Sequence, residues 1–161
     1  MLIFYCCYGR AHSSVVAAAI HLEILSPGTP RDIVKLQHFD QATAEDLGVP
    51  KLIGTDPDGN QIFILGGGAA GALVEEAIKS IFSLAGIDAH DILFVDLQPH
   101  LNFCTRLGGF LSRRLGFVYL GRRLAALGIW RALKRIKECV QQAKVQAEKV
   151  QSLDVQQENR A

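Results

Sequence analysis

A chain of 161 residues, 49% apolar and 20% charged, has the size and balance of one ordinary globular domain, so neither disulfide nor metal is required to hold its core. A formal net charge of +1 gives the whole molecule no field that would attract nucleic acid non-specifically. No run of about 18 uncharged apolar residues is present to span a membrane. The apolar stretch Met1 to Cys7 is short and has no basic lead, which is unlike a secretory signal. A cytoplasmic location is therefore expected, with Cys6, Cys7, Cys104 and Cys139 as free thiols. Neither the four cysteines nor the five histidines fall at zinc-ligand spacing, so no metal is expected.

Leu2 to Cys7 is a continuous apolar and aromatic run, as in a strand buried on both faces. Gly9 breaks it. Ser13 or Ser14 then caps a helix in which Val15, Val16, Ala19, Ile20 and Leu22 recur at helical spacing. Ser26-Pro27-Gly28 is read as its end. Arg31 to Leu47 suggests one or two short helices. Lys51 to Thr55 and Asn60 to Leu65 flank Asp56-Pro57-Asp58-Gly59, a β-hairpin with a type I turn and a left-handed residue at Gly59.

Gly66-Gly67-Gly68 leads into a helix from about Ala70 to Ala85, ended by Gly86. Ile92 to Val95 is a further buried strand closing on Asp96. A helix is expected from about Leu101 to Leu115, and Phe117-Val118-Tyr119-Leu120 reads as a last strand. From Ile129 onward, Leu133, Ile136, Val140, Ala143, Ala147 and Val150 alternate by four and three. That segment is expected to be a terminal helix packed on its own domain and fraying after about Leu153.

Alternating strands and helices imply an α/β fold: a three-layer sandwich with a mainly parallel sheet of four to five strands, one β-hairpin and a C-terminal helix. The expected division is an α/β domain over residues 1–135 and a helical tail over 136–161. Its glutamine-rich composition suggests that the tail beyond Val140 is dispensable for folding. The chain is expected to be a monomer, or a weak homodimer through that helix.

Ligands of open α/β sheets bind beyond the carboxyl ends of the strands. The segment Cys7-Tyr8-Gly9-Arg10-Ala11-His12-Ser13-Ser14 lies at that edge and opens a helix, whose free amides and dipole favour an anion. Gly9, Arg10, Ser13 and Ser14 are candidate ligand-binding residues, joined from later turns by Asp96, Asn102 and Arg122. Cys7, beside a helix N-terminus and a cation, is a candidate nucleophile, and His12 a candidate general acid or base. An alternative nucleotide site is Gly66, Gly68 and Gly71, since Gly66 to Gly71 fits G-x-G-x-x-G between a strand and a helix. The expected partner is an anionic small molecule, with no nucleic acid and no membrane. No particular cofactor is implied.

Cys7 followed six residues later by Ser13 and then Ser14 resembles the loop of the low-molecular-weight tyrosine phosphatases and arsenate reductases. In those proteins an arginine stands where this chain has Ser13. The resemblance implies a cysteine-dependent phosphatase-like or reductase-like enzyme. A wider likeness rests on Cys7-Tyr8-Gly9, His12-Ser13-Ser14, Gly54-Thr55-Asp56, Val95-Asp96 and the stretch Gly108 to Gly116. By these the chain is similar to an uncharacterised bacterial family, domain of unknown function 3189. In that family histidine is usual where Cys6 stands and glycine where Arg10 stands. The likeness names no activity, so a non-catalytic ligand-sensing or interaction module is an equally admissible expectation.

Overall fold

A computed structural model describes residues 1–25, 28–100 and 118–158. Strand β1 (Leu2–Cys7) is central and has neighbours on both sides, in the order β2-β3-β1-β4. β3 (Gln61–Gly66) and β4 (Ile92–Asp96) both pair with β1 in parallel, from Leu2 opposite Gln61 and Ile92. β2 (Lys51–Thr55) is antiparallel to β3. The hairpin between them closes as its residues dictate. Gly59 takes φ +82°, its amide donates to the Asp56 carbonyl at 3.1 Å, and Asp56 donates to Asn60 at 3.0 Å.

Alternation along β1 separates two cores. Ile3 and Tyr5, with Ile62 and Ile64, meet helices α1 (Ser13–His21) and α2 (Pro30–Lys35) and a long helix α4 (Val118–Glu158). Phe4 points the other way, with Leu65, towards α3 (Gly71–Leu84). There its ring stacks between Phe63 and Phe94, each at 4.8 Å. The result is helix, sheet, helix: the expected three-layer α/β sandwich.

Two elements differ from expectation. Val118 to Leu120 is helical, the first turn of α4, and not a strand. A four-residue apolar run does not distinguish a strand from a buried helical turn, and the residues that follow bury Ala125, Ala126, Ile129 and Leu133 at helical spacing. α1 stops at His21, several residues early, because Glu23 enters the left-handed region at φ +59° and the amides of Ile24 and Leu25 return to the Ala19 carbonyl. The expected helix at 101–115, Asn102, Cys104 and the stop at Ser26-Pro27 lie outside the described residues.

α4 runs without interruption through the 135/136 boundary drawn from sequence. Val140, Ala143 and Ala147 are buried in the same core as Ile3 and Tyr5. Through these residues the helix packs on the same core as the sheet. No helix among the described residues is long and apolar enough to cross a membrane.

Candidate functional site

β1 and β3 run side by side, and their chains leave towards opposite layers, α1 on one face and α3 on the other. Ligand crevices of α/β sheets form at such a point. Here the two turns are held together. The ladder continues past the strands, with the Gly67 amide donating to Cys7 at 3.1 Å and Gly68 to Tyr8 at 2.9 Å. A Cβ on Gly66 would stand 2.7 Å from the Arg10 nitrogen, and one on Gly67 would stand 2.5 Å from the Gly71 Cα. Close backbone approach thus accounts for Gly66 and Gly67, and a left-handed φ of +57° for Gly68. The amides of Gly67 and Gly68 are already committed to the neighbouring turn.

Arg10 belongs to the turn but not to its donors. It takes φ +56°, is buried, and donates from Nη1 to the Val49 carbonyl at 2.7 Å while Nη2 pairs with Asp46. His12 sits at the N-cap of α1, its Nε2 2.9 Å from the Asp40 carboxylate, which is fully buried. Its ring meets Phe39 edge-on at 5.3 Å. An imidazole so fixed by a carboxylate has a defined orientation, as an acid–base group requires. Cys7 is 3% exposed, with Sγ 3.1 Å from the Ser14 Oγ. Its neighbour Cys6 faces the α3 layer instead, where burial above all pushes its thiol well up.

Ser13 is the informative residue. No side chain caps α1, and the Ser13 hydroxyl is fully buried with no hydrogen-bond partner among the described residues. One other buried donor is in the same condition, the Arg122 Nε on α4, while Nη2 of that side chain donates to Val34 at 2.7 Å. Both lie in the layer of α1, α2 and α4. Asp96 does not join them. It pairs in register with Cys6, stands on the α3 side of the sheet, and accepts the Gln98 amide at 2.9 Å. No cluster of three or more potential metal ligands occurs among the described residues.

Sequence reading missed a buried polar chain at the opposite edge of the sheet. The Tyr5 hydroxyl is 2.7 Å from the His21 Nδ1, and the His21 Nε2 is 3.0 Å from Asp56. Asp56 also accepts from the Asp58 and Asn60 amides and from the Asn60 side chain, and Gln151 on α4 donates to the Asn60 Oδ1 at 3.0 Å. Burial holds the His21 pKa below its ordinary value. Burial also works against the charge on Asp56, but the hydrogen bonds from Asn60 and His21 outweigh it and keep that carboxyl below its usual range. A neutral His21 donating to Asp56 and accepting from Tyr5 satisfies all three side chains. The only sequence signal was Asp56 itself, which the hairpin turn already explained.

A family model described as "Protein of unknown function (DUF3189)" matches residues 2–145. No curated protein matches the chain. No solved structure does either.

Proposed function

The chain belongs to the DUF3189 family, whose description names no activity, and from its own residues we propose that the turn between β1 and α1 binds a small phosphorylated or otherwise anionic molecule. The observation that carries this reading is the buried Ser13 hydroxyl, without a partner among the described residues, at a helix N-terminus that its N-cap side chain does not cap. An unsatisfied buried donor costs about 1–3 kcal/mol, which an anion accepting from it would remove. First-turn amides and the helix dipole favour the same charge. Arg122, whose buried Nε also has no partner among the described residues and whose Nη2 is held by Val34, is the cation this reading assigns to the anion. Arg10 is not, because Asp46 and Val49 already hold it. Ser13 and Ser14 are buried while Tyr8, Gly9 and His12 reach the surface, so a phosphate-sized group entering beside His12 fits better than a large ligand.

The contact between Cys7 and Ser14 favours a second reading of the same turn, in which the thiol is a nucleophile towards the bound anion. One set of titrations addresses both. Phosphate or pyrophosphate is expected to raise the thermal midpoint, and Ser13→Ala to weaken that binding about tenfold, roughly 1.4 kcal/mol. No shift at millimolar anion, or unchanged binding by Ser13→Ala, would overturn the anion site. If Cys7 is a nucleophile, it alkylates faster than Cys139 at neutral pH and the anion protects it.

A further inference from the structure

The charge of this chain is nearly balanced overall and strongly segregated locally. Residues 118–137, the first half of α4, hold Arg122, Arg123, Arg131, Lys134, Arg135 and Lys137 and no acidic residue, although the chain has 16. Arg123, Arg131, Lys134 and Arg135 are exposed. α2 lies alongside, tied to α4 through Arg122 to Val34 and close to the bond from Trp130 to Gly28, and it adds exposed Arg31 and Lys35. The one carboxylate between those two, Asp32, is taken up by the amide and hydroxyl of Thr29.

Aromatic surface is interleaved with these cations. Trp130 is 45% exposed, yet its indole nitrogen donates to the Gly28 carbonyl at 3.1 Å, which fixes a rigid ring in the basic field. Tyr119 is 70% exposed, with the Arg123 guanidinium 4.2 Å above its ring. From Arg123 to Lys137 the helix rises about 21 Å, enough to follow roughly four nucleotides of an unstacked strand.

We propose that the outward face of α4 from Arg123 to Lys137, with Trp130 in its midst, docks single-stranded nucleic acid by its phosphates and by stacking a base on Trp130. Cations that track a backbone, together with an aromatic platform, are the means by which single strands are held without sequence readout. A lipid surface fits less well. An interfacial helix turns its apolar row outward, whereas the apolar row of α4 (Ala125, Ala126, Ile129, Leu133 and Ile136) is buried in the core. A duplex keeps its bases stacked and unavailable to Trp130. This surface is distinct from the turn after β1, and the proposal stands or falls separately from the anion site.

Trp130 is the only tryptophan of the chain, so its fluorescence reports directly on the platform. The full chain is titrated with a short oligothymidylate at low salt, and binding is followed both by that fluorescence and by anisotropy of the labelled strand. Quenching is expected, with affinity falling about 50-fold from 50 to 200 mM salt for four phosphate contacts. The triple variant Lys134→Gln, Arg135→Gln, Lys137→Gln is expected to keep its thermal midpoint and lose at least tenfold in affinity. Trp130→Ala, followed by anisotropy, is expected to weaken binding by a similar factor. If Trp130→Ala does not fold, the triple variant alone decides. Absence of binding at low salt overturns the proposal, as does triple-variant affinity equal to wild type. So does equal binding of polyglutamate, or binding to phosphatidylserine vesicles but not to the oligonucleotide.

Discussion

Arg10 holds a left-handed backbone conformation that costs a residue with a Cβ roughly 1–2 kcal/mol. The turn keeps an arginine there because its side chain bridges Asp46 and the Val49 carbonyl, joining the first turn to the segment that leads into β2. Arg10→Ala and Arg10→Gly both lose those contacts and are both expected to be less stable than wild type. Glycine relieves the strain but adds roughly 0.4–1 kcal/mol of unfolded-chain freedom, so it should exceed alanine by about 0.5 kcal/mol. Urea midpoints of the two variants measure the difference, and an alanine variant more stable than the glycine one by about 0.4–1 kcal/mol would mean the turn carries no strain. The position also shows the reach of sequence reading. Arginine beside a glycine and two serines marks an anion loop equally well whether its guanidinium is free or spent. Only the fold, by bringing Asp46 to it, decides.

At the scale of elements, legibility followed locality. β1, the Asp56 to Gly59 turn and α3 were readable because their signals lie within a few residues: an unbroken apolar run, a proline and glycine at turn spacing, a helical period between glycines. The helical start of α4 was not, since Val118 to Leu120 is too short a run to show its period. The later turns of α4 are hard to weigh from sequence for a different reason. Their outward glutamines dominate the composition, while Val140, Ala143 and Ala147 are small but fully employed in the core. Truncation after residue 139 therefore removes three buried apolar side chains and the Gln151 bond to Asn60. At about 0.8 kcal/mol per buried methylene-sized group, this amounts to about 3 kcal/mol or more. A thermal midpoint lowered by at least about 8 °C is expected for a domain of this size. A truncated chain that melts with the full one would show that these turns add nothing to the core.

Across the whole molecule, the sheet divides its labours between two edges. At the carboxyl edge stand Cys7, His12, Ser13 and Ser14, with the Ser13 hydroxyl unpartnered among the described residues. At the amino edge the chain Tyr5, His21, Asp56, Asn60 and Gln151 leaves none of its side chains unpaired and ties β1, α1, the hairpin and α4 together. Such a network resists local reading, since its members are up to 146 positions apart and no two of them form a motif. Its titration sets the pH range of the fold. Burial keeps the His21 pKa low in the folded chain, and burial together with Lys51 and Arg10 does the same for His38. The unfolded chain takes up those protons first, near pH 6.5, so stability is lost as pH falls below that value. Asp56, also held low, adds a further loss in the carboxylate range. Tyr5 has the opposite sign: burial raises its pKa, the unfolded phenol ionises near pH 10, and stability is lost as pH rises past it. Cys6, also raised by burial, has the same sign as Tyr5, and its unfolded thiol ionises earlier. Urea unfolding at graded pH is therefore expected to show a plateau between about pH 7 and 8, a decline towards pH 5 and another that begins near pH 8.5 and steepens above 10. His21→Gln lowers the plateau, since it breaks the chain, but its decline from pH 7 to 5 is expected to be shallower than that of wild type, with His38 supplying what slope remains. Parallel slopes for the two proteins over that interval would show that His21 is not the titrating member and that the acid limit lies elsewhere.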